Sequence, residues 1–147
     1  MKLVIQIVNR AKLTVKDTLI SKIDRGYLIF VGIEPTDDDN LVKYYVEKVS
    51  KLRIFRDENG KTNLSIKDVG GQILAVSNFT LLAETKKTNR PSFSHAAPPE
   101  QALFLYNLFC EEMNKIVPTQ KGVFGEHMHI DTDLDGPFTI TIDTNNP

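Results

Sequence analysis

Gln72-Ile73-Leu74-Ala75-Val76-Ser77 is the stretch on which the reading of this sequence turns. It follows Gly70-Gly71, is apolar over its middle, and breaks into the polar step Ser77-Asn78 ahead of Phe79-Thr80-Leu81. A strand with one solvated face alternates apolar and polar residues, whereas a continuous apolar run of this length is expected of a strand covered on both faces. Such a strand is central, so the segments on either side must supply its neighbours and its cover.

Upstream lie short β-rich runs at residues 3–8 with Thr14 and Val15, at 19–23 and at 27–33, separated by breaks such as Asp24-Arg25-Gly26. They read as an antiparallel meander. Next comes Pro35-Thr36-Asp37-Asp38-Asp39, where Thr36 or an Asp can cap a helix and the carboxylates complement its positive end. Leu41, Val42, Tyr45, Val46, Val49 and Leu52 then recur at helical spacing, the signature of an amphipathic helix. Arg53-Ile54-Phe55 reads as a short strand closed by the turn Asp57-Glu58-Asn59-Gly60.

Downstream, residues 84–99 are polar and carry three prolines, which predicts a long surface loop of the kind that usually serves function. Pro98-Pro99-Glu100 opens a second helix with Ala102, Leu105, Phe109 and Met113 on one face and Pro118 beyond its end. Strand-like segments at 119–124, 127–132 and 138–143 finish the chain. This order predicts an α+β fold, a mixed or antiparallel barrel-like sheet with two amphipathic helices packed on one side, in a single domain over residues 1–147.

At 147 residues and 41% hydrophobic content, the chain is long enough for one substantial core and too short to divide comfortably. Its net charge of -1 lacks the basic excess of proteins that grip long nucleic acids, so any RNA contact is expected to be local. The lone Cys110, in an apolar helical run, excludes an internal disulfide and reads as a small buried hydrophobe. The first residues match neither a signal peptide nor a membrane span, which leads us to expect a cytoplasmic protein.

Three stretches offer chemistry. Ser77-Asn78-Phe79-Thr80-Leu81 lies where the central strand runs out, a place where backbone N–H groups leave the ladder and hydroxyls can meet a substrate ester; polar residues also simply end strands. Asp135-Gly136-Pro137-Phe138-Thr139, expected between the last two strands, contains a Gly-Pro step able to present carbonyls from a tight turn, or is an ordinary hairpin turn. Lys86, Lys87 and Arg90 precede Pro91, Ser92 and Phe93, a basic patch beside an aromatic ring that suits one phosphodiester and a terminal base as well as it suits a solvated loop. His127 and His129 face one side of a strand in the His-x-His manner, but no third ligand is indicated and no metal is expected. A triad of Ser77 or Ser92 with His95 lacks a nucleophile-elbow pattern.

Taken together, Val4-Ile5-Gln6, Leu52-Arg53-Ile54-Phe55 with its Asp-rich turn and Lys61, Ser77-Asn78-Phe79-Thr80-Leu81, Arg90-Pro91-Ser92-Phe93, Leu105-Tyr106, Gly122-Val123-Phe124-Gly125 and Asp135-Gly136-Pro137-Phe138-Thr139 resemble, in this order, the D-aminoacyl-tRNA deacylase family. The resemblance runs end to end. It implies a cofactor-free homodimer that hydrolyses the ester of D-aminoacyl-tRNA. Ser77, Asn78, Phe79 and Thr80 would line the pocket for the aminoacylated 3′ end, with N–H groups near Phe79 and Thr80 polarising the carbonyl. Thr80 holds the position of a nucleophile in one account of the family; in another, the terminal ribose 2′-hydroxyl assists and the protein positions. Gly136-Pro137 would be cis and would enter the partner subunit's pocket to reject L side chains. Arg90 to Phe93 would contact substrate, and Lys86 and Lys87 the tRNA phosphates.

Three residues depart from the family pattern: Asn78 stands for Gln, Leu134 for Asn, and Ile7 for an Arg that helps hold the Gly-Pro loop. These departures keep two alternatives open, a divergent paralogue that binds the tRNA 3′ end without turnover, and relaxed chirality toward a small L-aminoacyl-tRNA.

Overall fold

Strand β1 (Lys2–Val15) sets the architecture, and the computed structural model describes it together with the rest of residues 1–147. A turn at Lys16 and Asp17, both with positive φ, returns the chain along the same edge. Two left-handed residues match the right-handed twist of a two-residue hairpin, which is why the turn forms without an Asn-Gly pair. The returning segment consists of β2 (Thr18–Ile23) and β3 (Gly26–Gly32). They pair with β1 in one unbroken register from Leu13↔Ser21 to Lys2↔Gly32. The expected three-strand meander is therefore one long hairpin, and Asp24-Arg25 only interrupts its second arm.

From β3 the chain crosses over through α1 (Asp39–Lys51) and a small hairpin of β4 (Arg53–Arg56) and β5 (Thr62–Ser65) to reach β6 (Gln72–Ser77). Helix α1 begins where Asp38 accepts the Leu41 N–H at 2.9 Å, so Asp38 is the cap that the sequence left shared among several residues. The short β5 escaped the sequence reading because four half-exposed polar and apolar residues carry no clear period. β6 runs parallel to β3, and after α2 (Pro99–Asn114) the short β7 (Thr119–Lys121) runs parallel to β6. All four residues from Ile73 to Val76 are buried, as the apolar run required.

The last element, β8 (His129–Ile142), lies antiparallel along the other edge of β1. The two segments expected at 127–132 and 138–143 are parts of this one strand, so Asp135-Gly136-Pro137 interrupts a strand and does not join two.

β1, β3 and β6 separate two apolar clusters, by alternation that is interrupted once in β1, between Val8 and Ala11. Leu3, Ile5 and Ile7 with Tyr27, Ile29, Val31, Ile73 and Ala75 face the helices and meet Val42, Tyr45, Val49, Leu105, Phe109 and Met113. Val8, Ala11, Leu13, Ile23, Leu28, Leu74 and Val76 fill the inside of the curled sheet. The sheet is barrel-like because β2 meets β7: the Ser21 hydroxyl donates to the Lys121 carbonyl at 2.6 Å, and the Lys22 N–H to the Gln120 side chain at 3.0 Å. Gly26 permits the crossing of β3 and β6, since a Cβ there would stand 1.7 Å from the Gln72 carbonyl oxygen. The prediction for the helix-facing core is that Phe109→Ala, which empties a fully buried ring site, costs about 3–5 kcal/mol in urea unfolding.

Candidate active site

The end of β6 is asymmetric. On the β3 side the ladder carries on past the strand, with the Asn78 N–H donating to the Val31 carbonyl at 2.8 Å. The chain then turns into one 3-10 turn over Phe79–Leu82, and Asn78 caps it. Its Oδ1 accepts the Thr80 N–H at 3.2 Å and the Thr80 hydroxyl at 2.5 Å. The first N–H of a helical turn has no partner inside the turn, and the Phe79 N–H meets no acceptor in the chain. Of the two amides expected to polarise a carbonyl, that of Phe79 is free and that of Thr80 is shared with Asn78.

The loop at 84–99 is built, not slack. Glu84 and Ser92 exchange both backbone hydrogen bonds, at 2.8 and 2.9 Å, and the Ala97 N–H donates to the Ile33 carbonyl at 2.9 Å. The His95 Nε2 lies 3.5 Å from a Glu84 carboxylate oxygen, on a pairing the sequence gave no sign of. These ties return Phe93 to the strand end, where its ring meets Phe79 edge to face with centroids 5.0 Å apart. Phe79 is 56% exposed and Phe93 37%. Two neighbouring aromatic rings left in water form a surface on which a base can stack. The structure thus joins Ser77 to Thr80 with Arg90 to Phe93 in one place. Lys86, Lys87 and Arg90 are exposed on the same loop.

Gly136 and Pro137 are not part of this cluster within one chain. Their peptide bond is cis, and both residues are exposed. On β1, Gln6 pairs with Thr139 and Val8 with Leu134, so residues 135–138 stand as a four-residue bulge opposite Ile7 alone. Ser77 pairs with Val31, and Val31 with Leu3. Ile7 is thus four residues further along the strand and the bulge is three strands across, which at usual strand rise and spacing is roughly 15–20 Å away. Ile7 is buried, and Phe138 packs against the same core, so the base of the bulge rests on apolar contact.

The remaining candidates lie elsewhere. His127 and His129 line a cleft with Thr14, Lys16 and Asp17 at the far end of β1, and no three potential metal ligands converge there or at any other point. Cys110 is buried in α2, where desolvation pushes its thiol up to about 11.

With this geometry in hand, comparison with known proteins is direct. A model of the D-Tyr-tRNA(Tyr) deacylase family matches residues 4–143. The chain belongs to that family. It is 49% identical over 144 residues to a D-aminoacyl-tRNA deacylase of Lactobacillus gasseri, covering 97% of this chain and 99% of that one. Among solved structures, the c-Myc DNA Unwinding Element Binding Protein superposes with a TM-score of 0.92 at 39% identity, over 98% of this chain and 99% of the other. A structure described as a "probable eukaryotic D-amino acid tRNA deacylase" superposes with a TM-score of 0.86 over 96% and 97% of the two chains; at 16% identity this likeness shows the family fold alone.

The buried thiol supplies a check on the packing of α2. At pH 8 only about one Cys110 in a thousand is ionised given its raised value. A disulfide reagent is therefore expected to modify the native protein at least tenfold more slowly than the unfolded one, as followed by absorbance.

Proposed function

We propose that this protein hydrolyses the ester of D-aminoacyl-tRNA, releasing the free D-amino acid and tRNA. Membership of the family carries the reaction class, and the unpartnered Phe79 N–H at an exposed strand end is the observation that supports this site for it. In ester hydrolysis negative charge gathers on the carbonyl oxygen, and a fixed backbone N–H aimed there stabilises it. Phe79 and Phe93 offer stacking faces to the terminal adenine, and Lys86, Lys87 and Arg90 offer charge to the phosphates that follow it.

In this reading Thr80 positions and does not attack. A hydroxyl nucleophile needs a base to take its proton, but the Thr80 hydroxyl donates to an amide oxygen of Asn78, which is not a base. His95 is paired with Glu84 instead. The attacking water is then activated by the substrate, through the free 2′-hydroxyl of the terminal ribose. No metal or cofactor is needed for these steps.

Chirality selection is assigned to Gly136-Pro137 of a partner subunit. An exposed bulge roughly 15–20 Å from its own strand end can serve a pocket only in another copy, which supports a homodimer. Selection by a steric wall rejects the L side chain and leaves the identity of the D side chain open. Since aminoacyl-tRNA is made in the cytoplasm, the protein is placed there; no helix in it is long and apolar enough to cross a membrane.

The test is deacylation of D-Tyr-tRNA and L-Tyr-tRNA, each against its spontaneous hydrolysis and with a strong chelator present. Rapid loss of the D ester alone is expected. Turnover of neither would mean a protein that holds the tRNA end without catalysis, and turnover of both would mean relaxed chirality. Thr80→Val is expected to retain activity within about tenfold, whereas loss of a true nucleophile costs several orders of magnitude. Gly136→Ala is expected to raise L-Tyr-tRNA turnover relative to D: Gly136 has φ +126, and a Cβ there would stand 2.5 Å from the Phe138 nitrogen, so the bulge must change shape.

A further inference from the structure

One hydrogen bond missing from the β6–β7 ladder singles out a residue on the helix behind it. In a parallel pair each residue of one strand bonds to residues on either side of its opposite number, in a regular series. Here the Ile73 N–H donates to the Pro118 carbonyl at 2.9 Å, and the Gly122 N–H to the Ala75 carbonyl at 3.1 Å. The next member of the series would run from the Ser77 N–H to the Gly122 carbonyl. That bond is absent, because β7 ends at Lys121 and the chain turns away. The hydroxyl of Tyr106 reaches β6 beside this gap. Tyr106 projects from α2 and is 1% exposed. Its hydroxyl donates to the Ala75 carbonyl at 2.9 Å.

We propose that Tyr106 is a positioning residue for the reaction: its hydroxyl ties β6 at Ala75, just where β7 turns away, and so fixes the direction in which the Phe79 N–H meets the substrate carbonyl. The role needs the hydroxyl, since the aromatic ring alone has no proton to donate to a backbone carbonyl. Burial keeps it in the neutral, donating form by raising its pKa. Asn78 is held by Val31 on the β3 side, so Tyr106, through Ala75, supplies a second restraint on the strand that leads into Phe79.

This inference rests on the ester-hydrolase reading, and Tyr106→Phe tests it with two measurements. The variant keeps the buried ring and loses only the hydroxyl. With D-Tyr-tRNA, kcat is expected to fall about tenfold while KM stays within about twofold, because a misaimed oxyanion donor weakens the transition state and not ground-state binding. Phe109→Leu, which thins the packing of the same helix one turn away, is expected to lower thermal stability and leave kcat unchanged. Amide hydrogen exchange supplies the second measurement: Ser77 to Thr80 are expected to exchange at least about tenfold faster in Tyr106→Phe, with Ile73 and Leu74 unaffected. Unchanged exchange at Ser77 to Thr80, or an equal kcat loss in Phe109→Leu, would overturn the assignment. A wild-type protein inactive on both esters would instead overturn the hydrolase reading, and the exchange measurement would still decide what Tyr106 holds.

Discussion

Everything in this fold depends on β1 having both edges occupied. One edge takes the long return arm of β2 and β3, the other takes β8, and together they leave β1 without a free backbone group over most of its length. A strand so enclosed must also be covered on both faces, and its side chains divide accordingly: Leu3, Ile5 and Ile7 toward the helices, Val8, Ala11 and Leu13 into the curled sheet. The alternation is interrupted between Val8 and Ala11, beside the bulge in β8. Where β1 shifts its pairing, β8 must carry extra residues, and these are Asp135, Gly136, Pro137 and Phe138. The exposed Gly-Pro element is thus a product of register, held at its base by Ile7 and Phe138 where the family places an arginine.

The turn at the end of β6 has a similar origin. β6 gains its rigidity from β3 on one side and β7 on the other, but the two neighbours stop at different heights. Near this uneven end the backbone is held by Val31 at Asn78 and by Tyr106 at Ala75, while Asn78 folds the following residues into the 3-10 turn that leaves the Phe79 N–H unpaired. Free amides on flexible loops pay an ordering cost when they bind. Here that cost is met by folding, which is the condition for effective electrostatic stabilisation.

Much of this was legible in the sequence. The unbroken apolar run from Ile73 to Val76 announced a buried strand, the helical spacing of Val42, Tyr45 and Val49 announced α1, and Leu105, Phe109 and Met113 announced α2. The motif residues Ser77 to Thr80 and Arg90 to Phe93 were also identifiable, although nothing local said that they meet. Their union depends on Phe79 touching Phe93 across a loop closed by Glu84 and Ser92, and contact between distant residues leaves no periodic trace. The merging of β2 with β3, and of the two segments that make up β8, was illegible for a related reason. A break in hydrophobic pattern looks the same whether the chain reverses or continues, and only the register with β1 distinguishes the two.

The sequence by itself determined the family, the α+β class, the covered central strand and the residue types at the strand end, because periodicity, burial preference and motif order are properties of local chemistry. Tertiary structure alone decided that Asn78 occupies both the Thr80 N–H and hydroxyl, that the Phe79 N–H is left free, and that the Tyr106 hydroxyl meets the Ala75 carbonyl. It also decided that Gly136-Pro137 is out of reach of its own chain's site. Each of these is a matter of which hydrogen-bond partner lies within about 3 Å, and that is settled by how strands of unequal length end beside one another.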